Sequence, residues 1–330
     1  MQSPDLAVVP MSRFHADVAE ALSRRGEALL LAPNLAERVA ALRPLELYLM
    51  IKELGLNDAL ALVHCADVEQ IRYMVDLDCW PDGEFSPQEL DAWLAAFAPL
   101  GPKALAEAFL RVDEEIQVLF LAAVVTVYDL RSEEAEAAPG AQTAQTLDGF
   151  YLVEARDKAR DYEVPPLNLV DALYRYDMNE GFRLLTAAKW ELQSSLEEDA
   201  LHFRTGRLEE MGFVGRVRAM QLFAPPPKGR ALPKAEPIEG AATAPDAGRA
   251  ELPALYAGAL GQPGTLLSQA MAHVFERRTL IRLEYELVRL VGLAVVAYGN
   301  GPQNLQALER AAGFVRDTLS LGLEAQGAQA

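Results

Sequence analysis

Apolar residues recur at three- and four-residue spacing along nearly the whole chain, and alternating strand-like runs are almost absent. Residues three and four apart share one face of an α-helix, so a chain with this rhythm must bury helix against helix. Helices are expected over residues 13–31, 35–42, 45–54, 57–65, 67–77, 87–98, 102–110 and 113–129. They are short because helix breakers punctuate the pattern at Pro33, Pro44, Gly55, Pro81 to Gly83, Pro99 and Gly101-Pro102. The polar, small-residue stretch RSEEAEAAPGAQTAQ, residues 131–145, reads as an exposed connection, and TLDGFYLVEA, residues 146–155, is the one place where a short strand is expected. Helices resume over 166–177, 180–191, 195–211 and 214–222. Residues 225–248, rich in Pro, Ala and Gly, read as a linker before two strong helices at 265–298 and 302–323.

One spacing repeats. Gly55 is followed twelve residues later by Asp67, and Gly101 by Asp113, an offset of 46 residues. Each copy runs from a helix-stopping glycine through a helix to an aspartate suited to cap the next helix. Units of this kind bury their apolar faces only by stacking on their neighbours. The fold expected is therefore all-α: stacked helix pairs in an α-solenoid, plus a C-terminal long-helix segment. The expected parts are a superhelical domain at 1–130, a connection with a short strand at 131–155, a second helical region at 156–223, a linker at 224–250 and a C-terminal helical segment at 251–330.

Charge narrows the function. The net charge of -18 repels phosphate backbones and anionic lipid, which argues against general nucleic-acid or membrane binding. The most apolar helix, from Leu280, carries Arg282, Glu284, Glu286 and Arg289 and is not expected to insert in a membrane. Cys65 and Cys79 are too few for a disulfide framework, and MQSPDLAVVPMSRF has neither the basic start nor the apolar run of a secretory signal. A cytoplasmic location is expected. One basic stretch, with Arg204, Arg207, Arg216 and Arg218, reads first as a solvated helix face running into the linker, and is the best candidate in the chain for a partner contact.

The segment DLDCWPDGEFSPQELDAWL, residues 76–94, scans like a calcium-binding loop. With Asp78 at loop position 1, Asp82, Gly83, Glu84, Ser86 and Glu89 fall at positions 5, 6, 7, 9 and 12, where carboxylates, a turn glycine and a backbone carbonyl hold the ion. Position 3 is Trp80, which has no oxygen to offer. Ser86, Pro87 and Glu89 also match the start of a helix, as N-cap, first residue and N3. A structural corner is thus the first reading of this loop, and a Ca or Mg site at Asp78, Asp82, Glu84, Ser86 and Glu89 the alternative. His64, Cys65 and Cys79 lack the close pairing of zinc ligands, and His273 with Glu276 lacks the second copy that a di-metal bundle requires. His202 among Glu197, Glu198, Glu209 and Glu210 has no accompanying nucleophile or phosphate loop. Trp93, Trp190, Phe182 and Tyr174 fall at helical spacing with Leu and read as core.

The run LRPLELYLMIKELGLNDALALVHCADVEQIRYMVDLDCW, residues 42–80, together with LDGFYLVEA and ALYRYD, resembles an uncharacterised bacterial family, domain of unknown function 6178. That resemblance implies no activity. In helix rhythm, residues 30–130 also resemble the cytosolic superhelical domain of MgtE-type magnesium transporters and the stacked helices of the flagellar protein FliG. That likeness implies a right-handed superhelix, although the residues alone leave the handedness open, and helices used for protein contacts or cation-responsive packing. The function expected is a non-enzymatic protein-interaction scaffold without cofactor, with homo-oligomers through the C-terminal helices. The alternatives are a divalent-cation-responsive regulator and an enzyme of unfamiliar type around His202.

Overall fold

In the computed structural model the described residues are 23–132, 140–210, 213–224, 260, 262–298 and 305–327. The linker read at 225–248 and the first part of the helix expected at 13–31 lie outside them. The described chain is mostly helical, with one small three-stranded sheet. It divides into two compact units, with the boundary between Gly206 and Arg207.

The first unit opens with α1 (residues 23–30), α2 (Leu35–Ala40) and α3 (Pro44–Leu54). It continues with α4 (Leu60–Cys65), α5 (Val68–Asp78), a 3-10 turn at Pro81–Gly83, α6 (Pro87–Ala95), α7 (Pro102–Leu110) and α8 (Glu114–Val124). The sheet follows, and then α9 (Pro166–Tyr176), α10 (Met178–Trp190) and α11 (Gln193–Glu210). Breakers sit where the sequence places them: Pro44, Pro87, Pro102 and Pro166 each occupy a first helical position. There the missing N–H costs nothing.

The 46-residue repeat is physical. Gly55 and Gly101 both adopt φ of 85° and 98°, a backbone that favours glycine, and α5 and α8 are each 11 residues long and begin 46 residues apart. The two copies are stitched at their aspartate turns. Arg72 on α5 donates to the Arg111 carbonyl at 3.2 Å and pairs with Asp113 at 2.9 Å, while Arg111 donates back to the Ala66 carbonyl at 3.3 Å. Around this junction α3 packs on α5, α6 on α8, α7 on α9, and α8 on α10. The inner helices are buried almost all round, as the run Ile116 to Ala122 in α8 shows. Phe109 and Phe120 meet edge to face at 5.8 Å in this core, a geometry that adds about 1 kcal/mol to simple burial.

The helix expected at 113–129 stops at Val124. Residues Val125–Asp129, VTVYD, instead form β1, because a β-branched and aromatic run fits a half-buried pleated surface better than a helix face. Strand β3 (Tyr151–Ala155) lies between β1 and β2 (Thr143–Gln145), antiparallel to both. The strand foreseen near 146–155 is therefore β3, and β2 falls in the stretch read as a plain connection. In the second unit α12 (Arg216–Leu222) packs on α14 (Arg277–Tyr298), and α15 (Leu305–Gly327) packs on both α13 (Leu266–Ala272) and α14. Val214, Ala219, Leu293 and Ala297 form one cluster of its core, beside a group of Phe223, Tyr298 and Phe314. No described helix is long and apolar enough to cross a membrane.

Candidate functional site

The loop after α5 is built first by its ends. The Ser86 N–H donates to the Cys79 carbonyl at 2.8 Å, Gly83 turns the chain at φ 89°, and Ser86 Oγ accepts the Glu89 N–H at 3.4 Å to start α6. Asp78 faces neighbouring helices. Its Oδ1 accepts the Tyr48 hydroxyl at 2.6 Å, and its Oδ2 accepts Lys52 Nζ at 3.1 Å and Trp93 Nε1 at 3.2 Å, so this carboxylate joins α3, α5 and α6. Burial, and then the Asp78 charge, hold the Tyr48 phenol protonated far above its ordinary range. Glu84 and Glu89 are exposed, and the Asp82 side chain lies outside the described ones. Among the described residues no three His, Cys, Asp or Glu side chains converge as a metal-holding group.

The other groups weighed from the sequence do not assemble either. His64 Nε2 meets the Ala96 carbonyl at 2.7 Å, and burial pushes the Cys79 thiol well above its usual range. His273 Nδ1 lies 2.7 Å from the Gln269 carbonyl, and Glu276 accepts the Thr279 hydroxyl. His202, Glu197, Glu198 and Glu209 are exposed. Of the basic set, Arg204 turns inward: its Nε donates to the Asp76 carbonyl at 2.7 Å and its guanidinium lies 5.6 Å from the Trp80 ring. Arg207 is half-buried, Arg216 is exposed, and Arg218 reaches Glu209 at 3.9 Å.

A different corner draws functional-looking residues together. The β2–β3 hairpin closes through TLDGFY. Thr146 Oγ1 donates to Asp148 Oδ1 at 2.6 Å, the same oxygen accepts the Phe150 N–H at 3.0 Å, and Gly149 supplies φ 75°. Beneath the tip Tyr151 is fully buried, its ring stacked on Phe182 at 5.4 Å and its hydroxyl 2.8 Å from Thr186. Arg131 crosses the rings of Phe150, Tyr151 and Phe182 at 5.1, 5.7 and 5.9 Å. It grips Asp129 with two bonds of 2.8 and 2.7 Å, which hold that carboxyl down to about 2.

Tyr174 of α9 lies beside the hairpin tip, its buried hydroxyl without a well-formed hydrogen bond. Burial, and then the Asp148 charge, raise its phenol. Gly181 is required here, because a Cβ at that position would come within 2.6 Å of the Tyr174 ring. Two of the three segments that carry the family resemblance, LDGFYLVEA and ALYRYD, thus meet in space. The outside of this corner carries apolar side chains: Leu147 and Phe150 on the hairpin tip, and Tyr176 and Met178 at the α9–α10 turn, are exposed, with the charged Arg175 and Asp177 next to Tyr176. Of the four aromatics read as core, Tyr174 and Trp93 are buried and Phe182 is half-buried, but Trp190 is 68% exposed. The Thr-x-Asp-Gly turn was the signal that could have located the tip.

Elsewhere a void of about 20 Å³ lies among Val63, Ile71, Met74, Leu90, Trp93 and Phe97, with wholly apolar walls and room for about one water. No curated protein and no solved structure matches this chain. A family model does match, over residues 7–329, and the chain belongs to that family, a family of unknown function designated DUF6178.

Proposed function

We propose that the chain is a non-enzymatic protein-interaction scaffold of stacked helix pairs, and that the hairpin tip with the α9–α10 turn is a contact surface. The observation that carries this reading is the contrast within that corner. Tyr151 and Tyr174 are buried, while Leu147, Phe150, Tyr176 and Met178 beside them are 43–52% exposed. Rigid apolar anchors on a pre-formed surface bind with little loss of side-chain freedom. Arg216 and Arg218 keep the role of a basic contact for an acidic partner. The divalent-cation reading of residues 78–89 has less support, because Asp78 already accepts three donors, one of them cationic.

The test is capture from native lysate on the immobilised full chain, beside a Leu147→Ser/Met178→Ser double variant with unchanged far-UV circular dichroism. The expected result is a defined protein retained by the wild type and lost with the double variant. Equal retention by both, or a wild-type chain that stays monomeric and alone, contradicts the proposal.

A further inference from the structure

Helix α11, with 18 residues, is thinly attached along its stretch in the first unit, Gln193 to Gly206. Between Gln193 and Gly206 only Leu196 and Ala200 are buried, and no described helix or strand packs extensively against α11. Arg204 continues that line at the same four-residue spacing. It is the polar end of the attachment: its Nε meets the Asp76 carbonyl in the last turn of α5, and its guanidinium covers the Trp80 ring. A cation is favoured there because carbonyls at a helix C-terminus carry partial negative charge and the indole face attracts cations. At the other end Gln193 reaches the Ala122 carbonyl only at 3.5 Å.

The helix weakens beside this latch. Gly206 is a poor helix former two residues past Arg204, with open space where a Cβ would point, and the Thr205 hydroxyl bonds back to the Leu201 carbonyl. Before α11 the chain passes through Glu191 and Leu192, both exposed and non-helical. The large side chains Leu201 and Phe203 are 38% and 47% exposed, so neither is a buried anchor.

We propose that residues 193–206 form a releasable strap that lifts from the helical array while the array stays folded, with Arg204 as the latch and the Asp76 carbonyl and Trp80 ring as its seat. Segments with few buried apolar contacts open at lower free energy than the core they lie on. The strap is a conformational device of the first unit, independent of which partner the chain binds.

Hydrogen exchange by mass spectrometry on the full chain tests this. In the wild type, amides of 193–206 are expected to exchange at least about tenfold faster than those of α7, α8 and α9. Arg204→Ala should raise exchange across 193–206 by about a further tenfold and leave α7 to α9 unchanged, because a hydrogen bond from a charged donor and a cation–π contact are lost together. Arg204→Lys should fall between, keeping the charge without the planar fork. Gly206→Ala should slow exchange in the strap about threefold. Wild-type exchange of 193–206 at the rate of α7 to α9, or an Arg204→Ala variant that leaves 193–206 unchanged or accelerates all four helices alike, overturns the proposal.

Discussion

The helix pairs α4–α5 and α7–α8 start from the same spacing and solve the same problem differently. In the first, Asp67 caps α5 by accepting the Gln70 N–H, and Gln70 answers the Asp67 N–H, a reciprocal capping box. In the second, the residue equivalent to Gln70 is Ile116, so no box can form, and the Asp113 carboxylate makes no cap bond but turns across to Arg72. The first pair thus uses its aspartate to start its own helix, and the second uses its aspartate to hold the first. A single repeated spacing can supply both a helix start and a joint between units, depending on the residue three places on.

The buried glutamines separate the pairs most. Gln70 also donates to the Val39 and Leu42 carbonyls at 2.7 and 3.0 Å, so Gln70→Leu removes these two bonds and the acceptor of the Asp67 N–H, although the Val39 carbonyl keeps the Leu42 N–H, and should cost about 3 kcal/mol, read as a lower denaturation midpoint. If the copies share their turn, Gly55→Ala and Gly101→Ala should each cost about 2 kcal/mol, since both glycines sit at positive φ with ψ of 143° and 172°. Unequal losses would break the equivalence of the copies.

Much of this was legible in the letters. The helical period, the prolines at first positions and the 46-residue offset are local signals, and local signals survive into the fold. The 125–129 strand was not, because VVTVYD continues the apolar run of α8 and nothing in a short run separates a buried helix turn from a strand. Nor was the fate of Asp78 or Arg204. Tyr48 lies 30 residues before Asp78, and the Asp76 carbonyl 128 residues before Arg204, so both pairings depend on tertiary arrangement that spacing within a motif does not encode.

Smaller effects sharpen the contrast. Asp67→Ala should cost about 1 kcal/mol through the lost cap, and Asp113→Ala about 0.5 kcal/mol, because Arg72 is partly exposed and its ion pair screened. Gln117, the buried amide of the second pair, donates to the Val112 carbonyl at 2.6 Å, but its own oxygen has no partner. Gln117→Leu removes one satisfied and one unsatisfied group together and should leave stability within about 1 kcal/mol of wild type in the same denaturation assay.

If Arg72 and Arg111 make the two pairs one stacked body, they must open together. Residue-resolved hydrogen exchange over α4–α5 and α7–α8 in rising denaturant measures this directly. In the wild type the slowest amides of both pairs should converge on one opening free energy, and in an Arg72→Ala/Arg111→Ala double variant the pairs should part, α4–α5 opening first. Two distinct opening energies already present in the wild type would mean that the helix pairs fold as separate pieces.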